Sequence, residues 1–234
     1  MSYSAMVLDS INQFPELKII DVQQVYKRKF KGVPEQAFYK AISRMAQNGE
    51  IERLTKGIYC KPKKGRFGNI VSSEKHILEH YLGENMKTGV VIGYRMYNKY
   101  KLTTQVSKSV EVYSNMSEHE IKKIENVEII KVNVRFDDTT KKMIELLHFL
   151  ENMNQIEDLS MDNVKIFIEN AIVYYNEKTL EKLIKSIGYK KSTLASLKNI
   201  LDYFNISHTV EKYLNGTSKY KSITMEDIYE SASQ

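Results

Sequence analysis

Cysteine is nearly absent from this chain. Cys60 stands alone, which excludes an internal disulfide and most cysteine metal sites. Proline and glycine are also scarce, three and ten in 234 residues, while Lys, Glu, Ile and Leu are frequent. That balance argues for helix over an all-β architecture. No apolar run approaches the roughly 18 residues needed to cross a bilayer. The first residues carry Asp9 and no basic stretch before an apolar core, so no secretory signal is expected and cytoplasm is the expected location. There is no G-x-G-x-x-G and no Walker lysine loop, which removes the two commonest phosphate-cradling folds.

Catalytic constellations are missing as well. The five histidines form no recognisable set, and Cys60 has no histidine positioned beside it in sequence. His76 and His80 are four apart on an expected helix, a spacing that can hold a metal, but two ligands do not complete a site. Asp137 and Asp138, with Glu145, read as helix-start acids rather than a metal pair. Glu128 and Lys131 are three apart, which puts them on opposite faces of a strand. The sequence therefore predicts no enzyme, no cofactor and no bound metal.

What is present suits a soluble, globular chain of one large or two small domains, with 42% hydrophobic and 27% charged residues. The net charge is +6, and it is unevenly distributed. Residues 1–68 hold nine Lys and four Arg against six acids, a net of +7, whereas residues 69–234 hold 22 bases and 23 acids. A basic segment on a near-neutral body points to a local polyanion contact.

Along the chain, Ala5, Met6, Leu8, Ile11 and Phe14 predict a first helix with a buried stripe, ended by Pro15. Asp21 is a suitable N-cap for a second helix that buries Val22, Val25 and Tyr26 and crowds Lys27, Arg28, Lys29 and Lys31 at its end. Gly32 turns the chain and Pro34 suits the first turn of a third helix. Its apolar face would be Ala37, Phe38, Ala41, Ile42 and Met45, stopped at Asn48-Gly49. The opposite face carries Gln36, Tyr39, Lys40, Ser43, Arg44 and Gln47, groups able to reach base edges and phosphates. A strand–turn–strand ribbon then places Arg53 and Lys56 near its tip, followed by Lys61, Lys63, Lys64 and Arg66. This order predicts a winged helix–turn–helix over residues 1–68. Residues 65–74 read as a domain boundary.

The remainder, residues 69–234, divides into a small α+β module (69–136) and a helical bundle (137–234). A helix over 74–82 precedes strands at Val90–Gly93, Val110–Ser114 and Val127–Val132, with a short helix at Tyr94–Asn98. Four helices follow from Thr139, with Ile166, Tyr174, Tyr175, Tyr203 and Phe204 expected in the core and Gly188 stopping the third. A weak last helix over 224–231 follows a break at Gly216-Thr217-Ser218. The fold class expected is α+β, predominantly helical.

The segments RLTKGIYCKPKKGRFG, the following SSE and GYRMYNKYKLTTQVSKSVEVYSN resemble the antitoxin branch, AbiEi, of AbiE-type abortive-infection systems. These are classed as type IV toxin–antitoxin pairs. The likeness spans about residues 3–135 and is most specific from Gly93 to Asn115; the later helices carry no matching motif. It implies a winged-helix domain that binds inverted repeats in its own promoter and represses the operon. It also implies a part that counters a nucleotidyltransferase-like toxin without a stable complex, and it gives Thr103, Thr104 and Gln105 no chemical role. The resulting expectation is a DNA-binding autorepressor and antitoxin for phage defence. In it Gln36, Tyr39, Lys40, Ser43 and Arg44 approach the major groove, while Lys27, Arg28, Arg53, Lys56, Lys61, Lys63 and Lys64 hold phosphates. The competing expectation is a protein-interaction module on a winged-helix scaffold.

Overall fold

A computed structural model describes residues 2–216 and 220–232. Helix α1 (Tyr3–Asn12) starts where the Ser2 hydroxyl accepts a hydrogen bond from the Ala5 amide. It buries Val7 and Ile11, while Met6, expected inward, is 42% exposed. Val7 and Ile11 are four apart and so lie on one face, which packs on the third helix; Met6 is turned away from it. Ile19 and Ile20 open a strand, β1 (Ile19–Asp21). Asp21 then caps α2 (Val22–Lys29) as expected, accepting from the amides of Gln23 and Gln24 at 3.0 and 3.1 Å. Pro34 sits at the N-cap of α3 (Glu35–Gln47), one position earlier than expected.

Helix α3 buries Phe38, Ala41, Ile42 and Met45 and ends at Asn48, with Gly49 in the left-handed region at φ 73°. Strands β2 (Glu52–Thr55) and β3 (Ile58–Cys60) follow, joined by a tight turn at Lys56-Gly57 in which Gly57 has φ 79°. The three strands form an antiparallel sheet in the order β1-β3-β2. The register of β2 against β3 shifts between Arg53 and Thr55.

A hairpin overlaps the stretch expected as a boundary. Strands β4 (Lys63–Gly65) and β5 (Gly68–Ile70) pair Lys63 with Ile70 and Gly65 with Gly68. Nothing in KKGRFGNI alternates, because most of the hairpin is exposed and neither face is buried. Asn69 ties it to β2 through a 3.1 Å bond to Glu52.

Helix α4 (Glu74–Leu82) leads to β6 (Gly89–Ile92), α5 (Gly93–Lys99), β7 (Val110–Ser114), β8 (Ile121–Ile124) and β9 (Val127–Lys131). The sheet order is β6-β7-β9-β8, with β7 and β9 parallel and the other pairs antiparallel. Strand β8 was not expected, since Ile-Lys-Lys-Ile lacks a period of two. Gly89 is required by closeness: a Cβ there would lie 2.7 Å from the carbonyl oxygens of Tyr81 and Tyr113. Ile19 and Ile58 of the first sheet share a buried cluster with Ile77, Tyr81, Val112 and Ile129, so apolar packing runs across residue 68.

Helix α6 (Asp138–Asn152) begins at Asp137, whose carboxylate accepts from the Thr140 amide at 2.7 Å. Residues 143–150 are all buried, because α6 packs against α5, β6 and three later helices, α7 (Met161–Ile172), α8 (Glu177–Ile187) and α9 (Lys191–Tyr203). One core therefore joins the second sheet to the helical part. Gly188 stops α8 in the left-handed conformation, as expected. Ile166, Tyr174 and Tyr203 depart from expectation at 53%, 38% and 40% exposed. Val164, Phe167, Ile168, Ala171 and Ile172 already fill the inward stripe of α7, and Ile166 lies about 200° round the helix from Val164. Helix α10 (Met225–Ala232) buries Met225 and Ile228 and packs on α7. Of the expected break, Thr217 and Ser218 lie outside the described residues. The architecture is α+β, with ten α-helices and small sheets among the described residues.

Candidate nucleic-acid interface

The angle between α2 and α3 is set by aromatic packing. The ring of Phe38 sits 5.2 Å from Tyr26 and 5.3 Å from Phe30, and the Tyr26 hydroxyl donates to the Val33 carbonyl at 3.0 Å across the turn. With that face buried, Gln36, Lys40, Ser43, Arg44 and Gln47 are left exposed along the other side of α3. Lys40 and Arg44 have no carboxylate partner among the described residues. Tyr39 differs from its neighbours. It is half-buried, its ring meets Phe38 edge-on at 5.3 Å, and burial followed by the nearby Glu35 raises its phenol above the usual range. It forms the flank of the face rather than its tip.

The expected phosphate contacts separate into four groups. Arg28 is exposed and makes no ion pair among the described residues, whereas Lys27, also expected to hold a phosphate, is bound to Glu118 at 2.6 Å. Glu118 is held below the usual carboxylate range by that hydrogen bond. Lys61 turns back to donate to the Asn12 carbonyl at 2.9 Å, serving the end of α1. Lys63, Lys64 and Arg66 belong to the β4–β5 hairpin, with Phe67 at its tip 97% exposed and 5.7 Å from the Arg66 guanidinium. Arg53 and Lys56 are exposed on β2 and its turn. That turn rests beside β8, where Lys122 donates to the Lys56 carbonyl.

Lys122 and His119 therefore stand next to the expected surface, and no sequence signal points to them. Lys122 comes from β8, which carries no periodicity, and His119 from the loop before it, both more than sixty residues downstream of Lys56.

The remaining polar groups singled out in the sequence serve the fold. Glu145 is buried and held by the Tyr100 hydroxyl at 2.6 Å, Lys142 at 3.2 Å and Lys99 at 3.4 Å. Burial and this carboxylate push the Tyr100 phenol up to about 12. Asp137 is an N-cap, held low by its bond from Thr140, and Asp138 pairs with Lys141 at 2.9 Å. Thr103 and Gln105 brace a loop: Asn98 donates to both of their carbonyls, and both side chains bond Glu157. His76 accepts from the Ser73 amide at the start of α4, whereas His80 is largely buried and its imidazole is pushed down to about 4. No three of His, Cys, Asp and Glu gather as a metal set among the described residues.

In comparisons with known proteins, the crystal structure of the RV2827C protein from Mycobacterium tuberculosis matches with a TM-score of 0.40 and 10% sequence identity, covering 87% of this chain and 77% of that one. That likeness is too slight to argue from. No curated protein matches the chain. A family profile matches residues 29–194, and by that match the chain belongs to DUF6088, a family of unknown function.

Proposed function

We propose that residues 2–68 form a winged helix–turn–helix that binds duplex DNA, and that the chain is a transcriptional repressor of its own operon. The observation that carries this reading is the outward face of α3, where Gln36, Lys40, Ser43 and Arg44 are exposed together on a helix fixed from behind by Phe38, Ile42 and Met45. The element order supports it, since two packed helices and a β1-β3-β2 sheet follow α1 as they do in winged helices. So does the charge, because the whole excess of cations falls before residue 69. On this reading α3 enters the major groove, Arg28 and the hairpin cations hold backbone phosphates, and the protein is not an enzyme.

The antitoxin part of the proposal rests on the likeness to AbiEi proteins over residues 3–135. The partner would be a nucleotidyltransferase-like toxin, countered without a stable complex, in the cytoplasm. No helix among the described residues is long and apolar enough to cross a membrane.

The test of DNA binding is a mobility shift with the region upstream of the gene. A complex that survives excess unrelated duplex supports the repressor reading, and equal competition by both duplexes contradicts it. The antitoxin part is tested by co-expressing an adjacent nucleotidyltransferase-like reading frame. Growth restored by this chain supports it, and unrelieved arrest contradicts it.

A further inference from the structure

Between the N-terminal helices and the second sheet lies an open groove of about 620 Å³ whose polar lining includes Gln23, Tyr39, Arg53, Lys56, His119 and Lys122. Three of these, Arg53, Lys56 and Lys122, are basic, and none of the three pairs with a carboxylate among the described residues. Two acids beside the groove are otherwise engaged. Asp21 is 3% exposed and accepts two α2 amides, and Glu118 is bound to Lys27. Like charges gathered without a counter-ion are unfavourable unless an anion is to be received.

The arrangement is held in place rather than accidental. The loop before β8 is pinned to α2 at two points, by Gln24 donating to the Met116 carbonyl at 3.2 Å and by the Lys27–Glu118 pair. Lys122 is fixed over the β2–β3 turn by its bond to the Lys56 carbonyl. Its ammonium is held below the usual lysine range, first by burial and then by Lys56 and Arg53 against the opposing pull of Asp21. Tyr39 lines the groove while Lys40, the next residue, lies on the outer face of α3. A duplex lying along α3 would bring its backbone to this groove.

We propose that the second sheet takes part in the DNA interface: Lys122, with Arg53 and Lys56, forms a groove that receives a phosphate of the duplex backbone, flanked by His119. This rests on the DNA-binding reading above and deepens it. The arginine fork suits a tetrahedral oxyanion, and the two lysines supply point charge. The contact adds affinity and register but no base reading.

The experiment is a fluorescence-anisotropy titration of the upstream duplex at several salt concentrations, using the full chain. Replacing Lys122→Gln should weaken binding about five- to tenfold at 0.1 M salt and reduce the salt slope by about 0.9. Lys122→Arg should restore both. Lys123→Gln, the same charge change on the neighbouring exposed residue of β8, should do much less. Unchanged affinity and slope in Lys122→Gln, with the wild type still binding, overturn the groove and leave the DNA-binding reading standing. Equal losses in the Lys122 and Lys123 variants also overturn it, by tracing the effect to net charge. Wild type that binds no duplex overturns both readings. A parallel titration with inorganic phosphate, followed by the NMR signals of Lys122 and His119, separates a free-phosphate site. Saturation there, together with an unaltered duplex affinity for Lys122→Gln, overturns the assignment to the backbone.

Discussion

Lys27 and Glu118 meet at 2.6 Å, joining the last turn of α2 to the loop that leads into β8. One partner belongs to the basic segment and the other to the near-neutral body, so the pair ties the expected DNA reader to the module behind it. It also occupies a lysine that the charge pattern alone would assign to phosphate. Glu118→Gln should release Lys27 and remove a negative charge from beside the interface. Duplex affinity should then rise a few-fold and the salt slope should steepen by about one. An anisotropy titration across salt concentrations checks this, and a slope matching wild type would mean that Lys27 does not reach the backbone.

The β4–β5 hairpin offers a separate test. Lys63, Lys64 and Arg66 are exposed on it and make no ion pair among the described residues. Changing all three to Gln should reduce the salt slope by roughly two to three and weaken specific and unrelated duplex alike. A loss confined to the specific duplex would give the hairpin a base-reading role instead.

The apolar cluster that crosses residue 68 predicts joint unfolding. Ile58 is fully buried among residues of both sheets. Ile58→Ala should cost about 2–5 kcal/mol and lower a single melting transition. Two separated transitions, only one of them moved, would show that the basic segment folds independently of the second sheet.

Stability should fall with acidity for a nameable reason. His148 is 9% exposed between Tyr97 and Tyr113, and burial pushes its imidazole down to about 4, as it does for His80. The unfolded chain takes up a proton at each histidine near pH 6.5, while the folded chain resists until about pH 4. Stability is therefore full above pH 6.5 and is lost progressively as pH falls towards 4, by up to roughly 3 kcal/mol for each histidine. His148→Gln should flatten the fall of Tm between pH 7 and pH 4.5; an identical fall in that variant would place the cause elsewhere.

Local chemistry explains why much of this was legible in the sequence. Asp21 caps α2, Gly49 and Gly57 take positive φ at their turns and Gly188 ends α8, each for reasons contained within a few residues. The parts that were hidden depend on distant partners. The hairpin at 63–70 has no buried face to impose alternation, and β8 is a strand because β9 pairs with it. The contacts of Lys27 and Lys61 were hidden because Glu118 and Asn12, which engage them, are remote in sequence. Ile166 was misplaced because hydrophobicity was read without the angle it subtends on α7.

The central claim is that α3 reads DNA. Its most direct test is the affinity of the Lys40→Ala, Arg44→Ala double variant for the upstream duplex, measured beside its affinity for unrelated duplex. With each base contact contributing about 1–3 kcal/mol, specific binding should weaken at least tenfold and most of the preference should disappear, with the melting temperature little changed. A double variant that keeps both the affinity and the preference of wild type would contradict the account.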